Sequence, residues 1–129
     1  MINKVIYPEL SFKIVGIVYN VYNELGYGYQ EKYYQKALEI KLMDEHIAFK
    51  RELKTDLKFN NQKIGHYYLD FLIDDKIILE IKVGQFFHKK DYEQIRAYLK
   101  ANNLELGILT LFSKDNVKTK RVLNKICRD

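Results

Sequence analysis

The sequence predicts a single α/β domain over residues 1–129, a mixed sheet flanked by helices. The first observation is the order of its periodic segments, which runs helix, helix, three strands, helix, strand and basic tail. The second is the apolar run LGILTLF at residues 106–112, which is typical of a buried strand. Because a helix precedes this strand, we expect it to pair parallel with an inner strand.

Two helices open the chain. The first is predicted over residues 11–25, with Ser11 as its N-cap and Pro8 just before it. Glycines at 26 and 28 favour a turn at its end. The second is predicted from about residue 30 to residue 45. The inward residues are Phe12, Val15, Val18, Tyr22 and Leu25 in the first helix, and Tyr34, Ala37, Leu38 and Leu42 in the second.

Three consecutive strands are predicted next, as a meander. Apolar and charged residues alternate over residues 51–59, which indicates a half-exposed strand before a turn at 60–63. Residues 65–83 form a hairpin with its loop at 74–76. The register that gives one apolar face places Ile73 opposite Ile77, Phe71 opposite Leu79 and Leu69 opposite Ile81. The other face then pairs Leu72 with Ile78, Asp70 with Glu80, and Tyr68 with Lys82.

This register brings two carboxylates and a lysine together among apolar residues. Like charges on opposing strands destabilise a sheet, and an unpaired buried charge costs several kcal/mol. A Mg²⁺ ion would resolve both problems at Asp70 and Glu80, because it prefers carboxylate oxygens and water. Lys82 shares the face of Glu80 and could position the attacking water or stabilise the developing negative charge on a phosphate. The alternative is an exposed sheet face that carries a surface Lys–Glu pair.

Glu31 is a further candidate ligand, since it lies on the inward stripe of the second helix, three residues before Tyr34. An acid in a first helical turn is also favourable with the helix dipole, so spacing alone leaves the two interpretations open.

A third helix is predicted over residues 89–102, with Ile95 and Leu99 buried. Gln94 and Tyr98 stand four residues apart on one side of it. Two lysines at its start, Lys89 and Lys90, oppose the helix dipole. They either meet an anion or form a solvated helix end.

The tail from residue 113 is basic. It is predicted either as a surface helix or as a segment that begins with a short strand. Its inward residues are Val117, Val122, Leu123 and Ile126, and its basic residues are Lys114, Lys118, Lys120, Arg121, Lys125 and Arg128.

Charge and cysteine content narrow the function classes. The net charge of +5 and pI near 9.1 suit a polyanionic partner such as nucleic acid. Cys127 is the only cysteine, which excludes disulfides within the chain, cysteine-based zinc sites and iron–sulfur clusters. The start, MINKVIYPEL, lacks the apolar run of a signal peptide, and no stretch approaches the ~20 apolar residues that span a bilayer. We expect a cytoplasmic protein without membrane contact.

The hairpin and the order of elements resemble the PD-(D/E)xK nuclease superfamily. Asp70, nine intervening residues and Glu80-Ile81-Lys82 are similar to the motif that names it, with Leu69 in place of its proline. The α-β-β-β-α-β order resembles its restriction-endonuclease-like core. The similarity covers residues 19–121.

Two further motifs strengthen the resemblance. Gly28, Glu31 and Tyr34 fit the GxxExxY signature of a small bacterial family within the superfamily. Gln94 and Tyr98 fit the QxxxY motif of RecB-like exonucleases and related CRISPR adaptation nucleases. A D…ExK spacing alone recurs by chance, whereas three motifs in order are much more specific.

The resemblance implies a role for each matching residue. The Mg²⁺ (or Mn²⁺) ligands would be Asp70, Glu80, the Ile81 carbonyl and, directly or through water, Glu31. Lys82 would be the catalytic lysine, Gln94 would orient it or the water, and Tyr98 would support the site or contact the substrate. The substrate phosphates would meet Lys89, Lys90 and the basic tail, including Arg121.

The leading interpretation is a metal-dependent nuclease that hydrolyses DNA phosphodiester bonds with a metal-activated water. Because no second domain is evident, we expect weak sequence preference or reliance on a partner. Related small resolvases are dimers, which makes a homodimer conceivable. The alternatives are a catalytically silent module of the same fold that binds nucleic acid or docks a partner, and a structural domain whose charges are solvated.

Overall fold

The structure is a computed structural model that describes residues 6–124. Ile126, Cys127 and the last basic residues of the predicted tail, Lys125 and Arg128, lie outside this range. The elements are α1 (Pro8–Leu25), α2 (Glu31–Asp44), β1 (Phe49–Phe59), β2 (Gln62–Ile73), β3 (Ile77–Val83), α3 (Lys89–Ala101), β4 (Leu106–Phe112) and β5 (Val117–Leu123). The predicted order of helices and strands is therefore confirmed.

The five strands form one mixed sheet in the order β1-β2-β3-β4-β5. β3 and β4 are parallel, as expected of a strand that follows a crossover helix, and the other neighbours are antiparallel. The tail begins with a strand rather than a helix, because β5 pairs with β4 through residues such as Val122, opposite Gly107. Gly107 also permits close packing of α3, since a Cβ there would collide with the Ile95 side chain.

Two apolar layers cover the sheet, one on each face. Helices α1 and α2 pack on the first face and α3 on the second. The first layer includes Ile14, Val18, Val21, Tyr34, Leu38, Leu42, Phe71, Ile73, Leu79, Ile81 and Phe112. The second includes Leu69, Leu72, Ile78, Ile95, Leu99, Leu109 and Val122. None of the helices within residues 6–124 is long and apolar enough to cross a membrane.

The predicted start of α1 is wrong, and so is the inward position of Phe12 in its predicted stripe. The helix begins at Pro8, where proline is tolerated, so Ser11 is a buried helical residue whose hydroxyl donates to the Pro8 carbonyl. The Phe12 side chain is 81% exposed. Val18 is buried as predicted, and Val15, Tyr22 and Leu25 are partly buried against the first layer. The other buried positions are Ser11, Ile14, Ile17 and Val21, so the centre of the stripe is rotated from the predicted one.

The β2–β3 register is as predicted at three pairs, Ile73–Ile77, Leu72–Ile78 and Phe71–Leu79. The ladder of the described residues contains no further pairs, so Leu69–Ile81, Asp70–Glu80 and Tyr68–Lys82 are not backbone partners. Ile81 packs in the first layer, whereas Leu69 packs in the second. The prediction that Leu69 shares the face of Phe71 is therefore wrong.

The cause is a local break in strand geometry at Asp70. Across from it in β1, Glu52 has φ 55° and lies between two regular pairs, Arg51–Phe71 and Leu53–Leu69. The Asp70 amide donates to the Glu80 side chain, and its carbonyl accepts from Arg51 Nε. Hydrogen bonds to side chains thus replace the backbone ladder bonds on both sides of Asp70. The regular alternation of side chains between the two faces of the sheet is interrupted there, so Leu69 and Phe71 point to opposite faces.

Candidate active site

The centre of the site is the point where β2 and β3 separate. The Asp70 amide donates to Glu80 Oε1 at 3.0 Å, and the Ile81 amide donates to Asp70 Oδ2 at 2.8 Å. Each carboxylate therefore accepts a backbone N–H group from the opposite strand. Two acids that would repel each other are fixed side by side, as the sequence predicted.

Glu80 is the buried member of this pair, with a relative exposure of 3%. Burial raises the pKa of Glu80 to about 9, and the neighbouring Asp70 carboxylate adds to the rise. The charge of Lys82 and the hydrogen bond from the Asp70 amide act against it. In the absence of a cation, this environment thus disfavours ionisation of both acids together.

Lys82 lies between two buried carboxylates, with its Nζ 3.9 Å from Glu80 Oε2 and 4.0 Å from Asp91 Oδ1. Burial lowers the pKa of Lys82, but the charges of Glu80, Glu31, Asp91 and Asp70 outweigh burial and raise it. The lysine is therefore a cation at neutral pH. It can stabilise negative charge, and it is not a proton acceptor.

Asp91 is a site residue that the sequence reasoning missed. It lies in the first turn of α3, is 2% exposed, and its Oδ2 has no hydrogen-bond partner among the described residues. Its spacing in the sequence could have identified it as buried, because Asp91 stands four residues before Ile95 on the buried stripe of the helix.

Glu31 reaches the same region from the start of α2. Its Oε1 accepts from the Val83 amide at 3.3 Å, just beyond Lys82. The turn before it is tied to Tyr34, whose hydroxyl donates to the Gly26 carbonyl at 2.6 Å and accepts from the Tyr29 amide. Gly28 in this turn has φ 118°, a conformation that favours glycine. The residues Gly28, Glu31 and Tyr34 thus form one local unit.

A hydrogen-bonded chain of side chains supports Asp70 from the other side. Gln35 Nε2 donates to Asp70 Oδ1 at 2.9 Å, and Arg51 Nη2 donates to Gln35 Oε1 at 3.1 Å. Arg51 is in turn paired with Glu39 at 2.7 Å and lies over the Phe71 ring. Sequence reasoning missed this chain, although spacings of four residues place Glu31, Gln35 and Glu39 on one side of α2.

The Gln35→Ala variant is expected to bind Mn²⁺ about 10- to 100-fold more weakly than the wild type, a range typical for loss of an outer-shell partner. The reason is that Asp70 loses the hydrogen bond that orients its Oδ1. Calorimetric titration of Mn²⁺ measures the effect. The exposed Gln62→Ala is the control, and an unchanged affinity in folded Gln35→Ala would contradict the role.

The donor set fits a hard divalent cation better than zinc. Within residues 6–124, no three His, Cys, Asp or Glu side chains converge as a complete metal cage. Two adjacent carboxylates, Asp70 and Glu80, are what Mg²⁺ commonly uses together with water and substrate phosphate. The shared negative charge of this pair supplies the electrostatic reason for a cation.

Other predicted residues lie outside this cluster. The Gln94 side chain has no hydrogen bond within the described part of the chain, and its carbonyl accepts from the Tyr67 hydroxyl at 3.1 Å. Tyr98 is half-buried against the second apolar layer. Lys89 is exposed and pairs with Glu93, and Lys90 is exposed. The Arg121 guanidinium donates to Ser11 Oγ and the Ile6 carbonyl, near the start of α1.

Comparisons with known proteins agree with this architecture. The family model described as the PD-(D/E)XK nuclease superfamily matches residues 8–122. Among solved structures, "Crystal structure of SSO0001" matches with a TM-score of 0.52 and 20% sequence identity. The match covers 72% of this chain and 50% of that chain, and it shows similarity of fold alone. No curated protein sequence matches the chain.

Proposed function

Since the chain belongs to the PD-(D/E)XK nuclease superfamily, we propose that it is a metal-dependent nuclease that hydrolyses DNA phosphodiester bonds. The observation that carries the proposal is the convergence of Asp70, Glu80 and Lys82 where β2 and β3 separate. Within the superfamily we place the chain in the GxxExxY group. Support comes from the local unit of Gly28, Glu31 and Tyr34.

Asp70 and Glu80 would hold Mg²⁺ or Mn²⁺, with the Ile81 carbonyl and Glu31 as further ligands. When bound, the ion would supply Lewis-acid catalysis and lower the pKa of a water molecule. The chain supplies the orientation of both carboxylates through the hydrogen bonds between β2 and β3 and through Gln35.

Lys82 would stabilise the negative charge that develops on the phosphate. Its side chain is 33% exposed, so it can meet a substrate while Glu80 and Asp91 fix its position. A preorganised cation in a partly dry site costs little reorganisation during the reaction. Asp91 would act as a positioning residue for this lysine, and Gln94 would complete the site once substrate is bound.

Substrate phosphates would be bound by exposed lysines at the start of α3, Lys89 and Lys90, and Tyr98 would contact the substrate. Arg121 would contribute from β5, in competition with its bonds to Ser11 and Ile6. Such contacts position a substrate without reading its sequence, and they make binding sensitive to salt.

Cleavage of linear duplex, circular duplex and single-stranded DNA tests the function, with Mg²⁺, Mn²⁺ or EDTA present. We expect cutting with either metal and none in EDTA. Cutting of the circular substrate would indicate internal cleavage. Salt-sensitive binding without cutting under any condition would contradict the nuclease and favour a silent binding module.

A further inference from the structure

A groove of about 530 Å³ lies between β1 and the C-terminal half of α3. One wall is formed by residues 54–58 of the edge strand β1, and Tyr67 of β2 also lines the groove. The α3 wall consists of Ala97, Tyr98, Ala101 and Asn102. The two small alanines leave Tyr98 as the only large side chain of this wall.

The walls present groups without partners in the protein. The Tyr98 hydroxyl makes no hydrogen bond within residues 6–124, and burial raises the pKa of Tyr98, so the phenol stays neutral. Thr55 Oγ1 is buried and also has no hydrogen-bond partner among the described residues. The neutral Tyr98 ring can stack on a base, and the free Thr55 hydroxyl in the same groove can bond to the edge of a base or to a sugar.

The charge of the groove favours an anionic occupant. Lys54 and Lys58 are exposed, and neither forms an ion pair with another described residue. The acidic residue between them, Asp56, is already paired with Lys63 at 3.4 Å. Successive residues of a strand point to opposite faces, so Thr55 and Leu57 point towards α3, whereas Lys54 and Lys58 belong to the opposite face at the free edge of β1. The two free lysines therefore give this edge beside the groove a net positive charge.

Tyr67 connects the wall of the groove to the side of the sheet that carries Glu80. Its hydroxyl donates to the Gln94 carbonyl at 3.1 Å, which ties the groove wall to α3. Burial raises the pKa of Tyr67, and the charge of Glu80 raises it further, so Glu80 lies close to this inner end.

We propose that this groove binds a single-stranded segment of nucleic acid, with a base stacked on Tyr98 and the backbone phosphates on Lys54 and Lys58. The proposal rests on the proposed nuclease function and assigns it a substrate class. Bases in an intact duplex are stacked on each other, so only an unpaired segment offers its faces to Tyr98.

Binding of a fluorescent single-stranded oligonucleotide in EDTA tests the groove separately from cleavage. Tyr98→Ala is expected to weaken binding roughly 10-fold, whereas Tyr98→Phe, which keeps the ring, binds like the wild type. The double variant Lys54→Glu/Lys58→Glu should also bind weakly, and its salt slope should fall by about 1.4, for two lost phosphate contacts. A blunt duplex of the same sequence should bind the wild type more weakly than the single strand.

A matched control reverses two charges at the opposite end of the molecule, in Lys13→Glu/Lys76→Glu. This variant should retain wild-type affinity, and melting curves establish that every variant is folded.

Groove variants that bind like the wild type, or equal affinity of the wild type for the blunt duplex and the single strand, would overturn the proposal. If the wild type binds through the groove but cuts nothing, the nuclease function fails while the groove stands. If it cuts and the groove variants bind normally, the groove assignment alone fails.

Discussion

Replacing Lys82 with alanine is expected to lower the rate of metal-dependent DNA cleavage by about 10²- to 10³-fold, the range for loss of one preorganised charge-stabilising group. Lys82 provides the cation between Glu80 and Asp91, and no uncharged side chain can replace its effect on a developing phosphate charge. The single-turnover cleavage rate at saturating protein measures the loss. Affinity for DNA should change far less than this rate.

The control for Lys82→Ala is Lys76→Ala, which removes a lysine from the β2–β3 turn, where its side chain is 49% exposed. This variant should cleave at the wild-type rate. A Lys82→Ala protein that is folded and cleaves within a few-fold of wild type would show that the lysine is not part of the reaction.

Glu80→Gln is expected to abolish metal-dependent cleavage while it stabilises the metal-free protein at alkaline pH. The folded protein raises the pKa of Glu80 from its ordinary 4.5 to about 9, so the folded state binds this proton more tightly than the unfolded state. The stabilisation that the folded state gains from the proton on Glu80 is fully present below pH 4.5 and is lost as pH rises towards 9. Glutamine carries no charge and removes the dependence.

Melting temperatures of the metal-free wild type and of Glu80→Gln, measured between pH 5 and pH 9, test the direction of this stability difference. The difference should grow with pH and reach about 5 °C or more in favour of the variant at the alkaline end. A difference that does not change with pH would contradict the assigned environment of Glu80.

Much of this fold follows from short-range pattern. The apolar run at residues 106–112 predicted the bounds of β4, and the apolar pattern of β2 and β3 predicted the hairpin register near its turn. The same register predicted that Asp70 and Glu80 would meet. These features were readable because they depend on residues near each other in the chain or on one repeated spacing.

The wrong and the missed sequence-based predictions have one physical origin, which is that tertiary contacts override the local sequence pattern. Leu69 changes face because Glu52, in another strand, leaves the extended conformation beside Asp70. Gln35 and Arg51 are 16 positions apart in the chain and become partners only when α2 packs beside β1. Local rules fail most clearly around the candidate site, which is where functional demands commonly override them.

Buried charge is concentrated at this same place. Glu80 and Asp91 are nearly inaccessible, and within residues 6–124 Lys82 is the one residue that forms ion pairs with both. Removal of the lysine would take the positive charge away from two buried carboxyl groups, so ionisation of these groups depends on a cation. A protein selected only for stability gains little from such a cluster, whereas a centre that binds metal and phosphate requires it.

In the proposed function, Asp70, Glu80 and Lys82 form a metal-dependent phosphodiesterase centre. Cleavage of labelled DNA by wild type and Asp70→Asn, with Mg²⁺ chelated and then restored in excess, tests it most directly. We predict that the wild type stops cutting in EDTA and resumes with Mg²⁺, while folded Asp70→Asn binds DNA but does not cut. Cleavage that persists in EDTA, or that proceeds at the wild-type rate in Asp70→Asn, would contradict the claim.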